Sequence, residues 1–498
     1  MTDRMRREAP LEMSGDEFKK LGHALVDRIA AFLDTLPDRR VTNADSPQTI
    51  RSLLGPDALP EKGAEADTLL GETASLLIEH SLFNGHPRFW GYITSSAAPI
   101  GALADLLAAS VNPNVGAAAL SPVASEIEAQ SIRWIADLIG YPRNCGGILV
   151  SGGNMANFTC FLAARRTRAS WDVHKEGMSG GKRLVVYATQ ETHTWIEKAV
   201  ELFGLGAAAI RRAKTLANQQ MDVASLEQLI AEDRAAGHEP FMVVGTAGSV
   251  STGVTDPLPR IAEICRRHQL WFHVDGAYGA PAAVLPDASA ELLGLRDADS
   301  VALDPHKWLY APLEAGCALV RDSAHLRRTF SHHPVYYKSE EGEPDPGIDY
   351  HEFGLQNSRG FRALKVWLAL RQVGRAGYIR MIGDDIALAQ SMFEAVGRNP
   401  ELEAGTRHLS IATFRYVPKD LRGGTDEAYI NKLNEALLTR VQDSGEAFVS
   451  HAVIDGKHLL RACIVNFRTR TVDVEALPEI VVKHGRMLDA EMRKGKPA

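Results

Sequence analysis

Short apolar runs recur through the middle of the chain, and most are separated by stretches with apolar residues at three- and four-residue steps. The runs ILVS (148–151), LVVYA (184–188), FMVVGT (241–246), WFHVD (271–275), VALD (301–304) and CALV (317–320) predict buried strands. The intervening periodicity predicts helices over 158–168, 225–236 and 258–268. Strands apolar throughout and alternating with helices imply a mostly parallel sheet covered by helices. Sheets of that kind bind ligands at the carboxyl ends of their strands. Ser151, Thr246, Asp275 and Lys307 all fall at or just after such ends, so the pattern allows them to converge.

The flanks read differently. Ser14 and Glu17 have capping-box spacing, and Phe18, Leu21, Leu25, Ile29, Phe32 and Leu36 follow as an amphipathic stripe. The polar face mixes acidic Asp27 and Asp34 with basic Lys19 and Lys20, which favours packing against protein over a membrane surface. Pro37, Pro47, Pro56 and Pro60 predict an extended connection, and a second helix is predicted over 64–83. The polar segment 331–360 is rich in Gly and Pro, as a functional lid or a disordered loop is. A long helix is predicted over 361–374, then a mix of helices and strands (409–417, 459–467). The resulting division is an N-terminal helical segment (1–86), a large domain (87–374) and a small α+β C-terminal domain (375–498).

With 498 residues, the prior of roughly 150 per domain allows that three-part division. The net charge of −7 gives no basic footprint for nucleic acid. No apolar stretch reaches the ~18 residues of a membrane span, and MTDRMRREAP has no apolar core, so we expect a cytoplasmic protein. Cys145, Cys160, Cys265, Cys317 and Cys463 form no CxxC pair and read as buried thiols of a reducing compartment. The 17 histidines show no HExxH spacing, and no metal site is expected.

Candidate chemistry centres on DPHKWLY (304–310). Lys307, hemmed in by His306 and Trp308, is expected to lose solvation and so favour a neutral amine able to form a Schiff base with an aldehyde. Upstream, FHVDGAYGA (272–280) ends a strand at Asp275. An amine for the aldehyde carbon and a carboxylate for the pyridine nitrogen are what pyridoxal phosphate requires of a protein. SGGNMAN (151–157) adds a glycine turn between strand and helix, where main-chain N–H groups can face an anion.

Together with HPRFWGY (86–92), SPVASEIE (121–128), THTWIEKA (192–199) and SRGFRALKVW (358–367), these motifs make the chain resemble the pyridoxal-phosphate-dependent group II decarboxylases, which include the aromatic-L-amino-acid decarboxylases. The resemblance implies an aspartate-aminotransferase-like type I fold and a homodimer with its active site at the subunit interface. It implies that Lys307 is the Schiff-base lysine, that Asp275 partners the pyridine nitrogen with Ala277 beside the ring, and that His193 stacks over the ring. Gly153, Asn154 and His306 fall at phosphate-binding positions, Ser358 at one supplied with Arg359 by the neighbouring subunit, and Thr246 in a segment close to the ring. Tyr336 aligns with the tyrosine of a mobile catalytic loop, where tyrosine goes with amine formation and phenylalanine with aldehyde formation. Tyr92 matches a substrate-pocket position.

The chain departs from that pattern at Asp304, where many relatives have Asn; a carboxylate there repels a phosphate unless it points away or pairs. Asn84, Gly116 and Ala118 stand where aromatic rings are common, implying a wider pocket or a substrate that is not a simple aromatic amino acid. The expected reaction is decarboxylation of an aromatic L-amino acid to its amine. The alternatives are a coupled oxidative deamination to an aldehyde, a non-aromatic substrate, or a silent binding homologue, against which Lys307, Asp275 and His193 speak.

Overall fold

A computed structural model describes residues 9–55, 58–332, 347–424 and 426–494. β1 (Gly146–Val150), β2 (Leu184–Ala188), β3 (Ile210–Arg212), β4 (Glu239–Thr246), β5 (Trp271–Asp275), β6 (Ser300–Leu303) and β7 (Gly316–Val320) form one sheet in the order β1-β7-β6-β5-β4-β2-β3. Neighbours from β6 to β3 are parallel, and β7 lies antiparallel between β1 and β6. All strands but β7 therefore end at one edge. Every residue of β1, β2, β5, β6 and β7 is buried, which is why these strands read as unbroken apolar runs. β3 escaped prediction because it is three residues long, half-buried, and two of its residues are arginines. The helix Gly153–Arg168 crosses β1, β4, β5, β6 and β7 and begins where β1 ends.

A second sheet, β8 (Leu402–His408), β9 (Ile411–Tyr416), β10 (Ser450–Ile454) and β11 (Lys457–Cys463), is antiparallel in the order β10-β11-β9-β8. The helices Glu427–Ser444 and Thr471–Lys494 pack on it. Trp90 buries its indole in this C-terminal core, and its N–H donates to Thr469 Oγ1 at 3.2 Å. The helix predicted over 361–374 ends as expected at Gly374, whose φ of 64° and ψ of 169° are not helical, and a second helical stretch follows it, so that Ala363–Arg398 is helical on both sides of that break. The architecture is that of the type I fold expected from the motifs.

The N-terminal helix Gly15–Thr35 is capped as predicted, Glu17 N–H donating to Ser14 Oγ at 3.2 Å. Its stripe is only partly covered: Leu21 and Leu36 are buried, while Phe18 and Ile29 remain exposed. The connection expected to be extended contains a helix, Pro47–Leu54. Pro47 sits at its first position, where a missing N–H costs nothing, and Ser46 caps Thr49 N–H at 3.1 Å. Residues 333–346, with Tyr336, lie outside the described residues.

Arg359, expected with Ser358 to serve a neighbouring subunit, is instead buried within its own chain. It donates to Glu128 Oε1 at 2.5 Å, to the carbonyls of Leu149 (2.6 Å) and Val115 (2.9 Å), and lies over the Tyr350 ring at 4.9 Å. Glu128, also buried, accepts Leu149 N–H at 2.9 Å. Removing one member of such a pair leaves the other charge buried and uncompensated. Arg359→Ala should therefore lower the free energy of unfolding by about 3–5 kcal/mol, read by chemical denaturation, with Ser358→Ala near neutral.

Candidate active site

The sheet register brings the predicted residues together. Thr246, the last residue of β4, pairs directly with Asp275, the last of β5, and Asp275 pairs with Ala302 of β6. Just beyond β6 the chain turns, with Lys307 N–H donating to the Asp304 carbonyl at 2.8 Å. Beyond β1 the chain turns through Ser151 and Gly152, whose φ of 100° is open to glycine. A Cβ at Gly153 would crowd the Asp304 carboxylate, 2.7 Å from Oδ2. These strand ends enclose a cleft of about 320 Å³ lined by Gly153, Asn154, His193, Thr246, Asp275, Ala277, His306 and Lys307. Tyr92 and Ser358 are exposed and do not line it, although Ile93, next to Tyr92, does.

Asp275 is 5% exposed. Its Oδ2 accepts the Trp195 indole N–H at 2.8 Å and its Oδ1 the Ala277 N–H at 3.2 Å. Lys307, expected to lose solvation beside His306 and Trp308, has a carboxylate neighbour as well: Nζ lies 3.0 Å from Asp304 Oδ2. Trp308 contributes less to its surroundings than the sequence suggested, since its indole donates to Asp385 (2.8 Å) and stacks on Tyr278 (4.8 Å). Asp304 thus pairs rather than standing free, though its Oδ1 is buried without a partner. Burial lowers the pKa of His306, whose Nδ1 lies 2.7 Å from the Ala315 carbonyl. His193 Nδ1 accepts Trp195 N–H at 3.3 Å, so a neutral ring carries its proton on Nε2.

Behind the cleft, His273 is locked between Ser300 Oγ (2.8 Å) and Asn157 Oδ1 (2.7 Å). Burial pushes its pKa down to about 4, so it is neutral, and Asn157 Oδ1, which can only accept, takes its Nε2–H. Asp256 accepts Thr246 N–H and Met221 N–H, both at 2.8 Å. Thr246 Oγ1 is buried without a partner and lines the cleft through its residue. The residues fit pyridoxal phosphate: an amine and a carboxylate share one cleft with a glycine turn at the N-terminus of a helix that has no acidic residue in its first turn.

Residues 47–417 match the pyridoxal-dependent decarboxylase conserved domain. The chain belongs to the pyridoxal-dependent decarboxylase family. It is 33% identical to an aromatic-L-amino-acid decarboxylase of Bacillus atrophaeus, over 95% of this chain and 96% of that one. It is 28% identical to a phenylacetaldehyde synthase of Petunia hybrida, over 95% of each. The crystal structure of Oryza sativa TDC with PLP and tryptamine superposes with a TM-score of 0.90 at 26% identity, covering 97% of this chain and 100% of that one. The decarboxylase is accordingly a pyridoxal-phosphate-dependent carboxy-lyase acting on an amino acid.

Sequence reasoning missed several contributors. Trp195 lies inside the quoted motif THTWIEKA, but nothing in the motif says where its N–H goes. Arg461 is buried, donating to Ser450 Oγ at 3.0 Å and to the carbonyls of Tyr92 (2.7 Å) and Val250, and so ties the C-terminal sheet to the cleft rim. Its one signal was an arginine within the apolar run LLRACIV. At Gly116 a side chain is excluded by the Asn357 carbonyl, which a Cβ there would meet.

Asp385 anchors the lysine segment from the long helix, accepting from Trp308 Nε1 (2.8 Å) and Tyr310 Oη (2.7 Å). Burial raises its pKa from 3.8 to about 7, and that of Asp256 from 3.8 to about 6. Both carboxyls hold a proton more tightly folded than unfolded, so their contribution is complete below about pH 4 and is lost as pH rises through 6 to 7. Asp385→Asn should flatten the fall of stability over that window, measured as unfolding free energy from pH 4 to 8.

Proposed function

We propose that the enzyme decarboxylates an aromatic L-amino acid to the corresponding amine. The observation that carries this reading is the placement of Lys307, Asp275 and His193 in one cleft at the carboxyl edge of the sheet. The similarity to an aromatic-L-amino-acid decarboxylase supports the substrate class. When bound, pyridoxal phosphate supplies an aldehyde carbon and a protonated ring that accepts the electrons released as carbon dioxide leaves. Lys307 would hold the aldehyde carbon of the bound group, and Asp304, 3.0 Å from its Nζ, would steady the amine when free. Asp275 keeps the ring nitrogen protonated. Gly153, Asn154 and His306 would hold the phosphate with Ser358 of the partner subunit, and Ala277, His193 and Thr246 would contact the ring. Tyr92 borders the substrate. Tyr336 delivers a proton to the α-carbon, and because a phenol can do this and a phenyl ring cannot, an amine is favoured over an aldehyde.

The same reading includes a homodimer with shared sites. The helix Pro99–Val111 presents Leu103, Leu106, Leu107 and Val111 on one face, all at least half exposed (55, 50, 54 and 68%). Exposed Leu120 and Val123, and Phe18 and Ile29 of the N-terminal helix, add to the uncovered apolar surface, which supports association with a second copy. All five cysteines are unpaired and four are buried, which supports a reducing, cytoplasmic setting. No helix among the described residues is long and apolar enough to cross a membrane.

Two outcomes are expected. In a panel of amino acids assayed for carbon dioxide, amine, aldehyde and peroxide, aromatic substrates should give amine in step with carbon dioxide, without peroxide. Oxygen consumption matching carbon dioxide release would instead favour the aldehyde reaction of the phenylacetaldehyde synthase relative. Leu106→Glu with Leu107→Glu should convert a dimer in sedimentation to a monomer with little activity; a fully active monomeric wild type would contradict the shared site.

A further inference from the structure

Asp275 owes its orientation to a neighbour outside the cleft. Trp195 is fully buried at the start of the helix Trp195–Leu202, and its indole N–H meets Asp275 Oδ2 at 2.8 Å. The ring is fixed from two sides, edge-on to Phe161 (centroids 6.4 Å apart, 79°) and to His273 (5.7 Å, 85°). His273 is itself held at both nitrogens by Ser300 and Asn157. The indole N–H therefore has a defined position against which the carboxylate is set. An indole only donates, so Oδ2 must present a lone pair to it. With the Ala277 N–H on Oδ1, each carboxyl oxygen receives one donor, which fixes the plane of the group. Among the described residues these two N–H groups are the donors to the Asp275 carboxyl.

We propose that Trp195 is a positioning residue that holds the Asp275 carboxyl group turned toward the cofactor's ring nitrogen. The inference rests on the reading of Asp275 as that nitrogen's partner. Without the indole N–H, Oδ2 is a buried acceptor with no partner, a state that carboxylates avoid by turning or by taking up a proton. An Asp275 turned away from the cleft cannot meet the ring nitrogen.

The test uses the full chain, stripped of cofactor and reconstituted with pyridoxal phosphate carrying ¹⁵N in its ring. Trp195→Phe removes the donor and keeps an aromatic ring; Phe161→Leu disturbs the same packing and keeps the donor. Trp195→Phe should weaken cofactor binding about tenfold or more and move the ring ¹⁵N resonance toward its unprotonated position. Phe161→Leu should lower the melting temperature while leaving the resonance in place. In an Asp275→Asn background, Trp195→Phe should add little to the loss of affinity, because the charge it serves is gone. If Trp195→Phe does not fold, benzothienylalanine introduced at position 195, which replaces the N–H by sulfur at nearly unchanged shape, should give the same shift. An unchanged ¹⁵N resonance on loss of the donor, or an equal loss of affinity with Asn at 275, would overturn the role of Trp195. An unchanged resonance in Asp275→Asn alone would instead overturn the assignment of Asp275 beneath it.

Discussion

The cleft is organised around one buried carboxyl group, Asp275, and the two N–H groups that meet it. Desolvating an ionised carboxyl costs several kcal/mol unless hydrogen bonds or opposite charge offset it. At Asp275 the offset within the chain comes from two N–H donors, one from the backbone just beyond β5 and one from an indole behind the sheet. The remaining compensation is left for a ligand. A carboxylate prepared in this way suits a protonated ring nitrogen, and the architecture around it serves to keep it in place: the register of β4, β5 and β6, the locked His273, and the Asp256 contacts that fix Thr246.

A second set of contacts sets the position of Lys307. The turn that carries it is tied at both ends, by the Asp304 carbonyl and by Asp385, which takes the N–H of Trp308 and the hydroxyl of Tyr310. Asp385 belongs to the helix Ala363–Arg398 that leads into the C-terminal sheet, and Arg461 reaches from that sheet to the cleft rim at Tyr92 and Val250. Buried polar groups thus connect the C-terminal sheet to the loops around the cleft, where purely apolar contact would leave their relative position less defined.

How much of this could be read in advance follows from which interactions leave a trace in sequence. Strands buried on both faces appear as apolar runs, so β1, β2, β4, β5, β6 and β7 were legible, and with them the convergence of Asp275 and Lys307 on one edge. β3 was not, because a short edge strand with two arginines has no such pattern. Pro47 was read as a breaker because proline ends helices as well as starting them, and only the Ser46 cap decides between the two. The Asp304–Lys307 pair was open to inference from i, i+3 spacing, but a turn must first bring the side chains together. Trp195 and Arg461 act across 80 and 369 residues of chain, on Asp275 and on Tyr92, and no local pattern encodes such contacts.

The most direct measurement is borohydride reduction of the cofactor-loaded enzyme followed by peptide mass mapping. A pyridoxyl group on Lys307 is the expected result. A label on any other lysine, or no label in cofactor-replete protein, would contradict it.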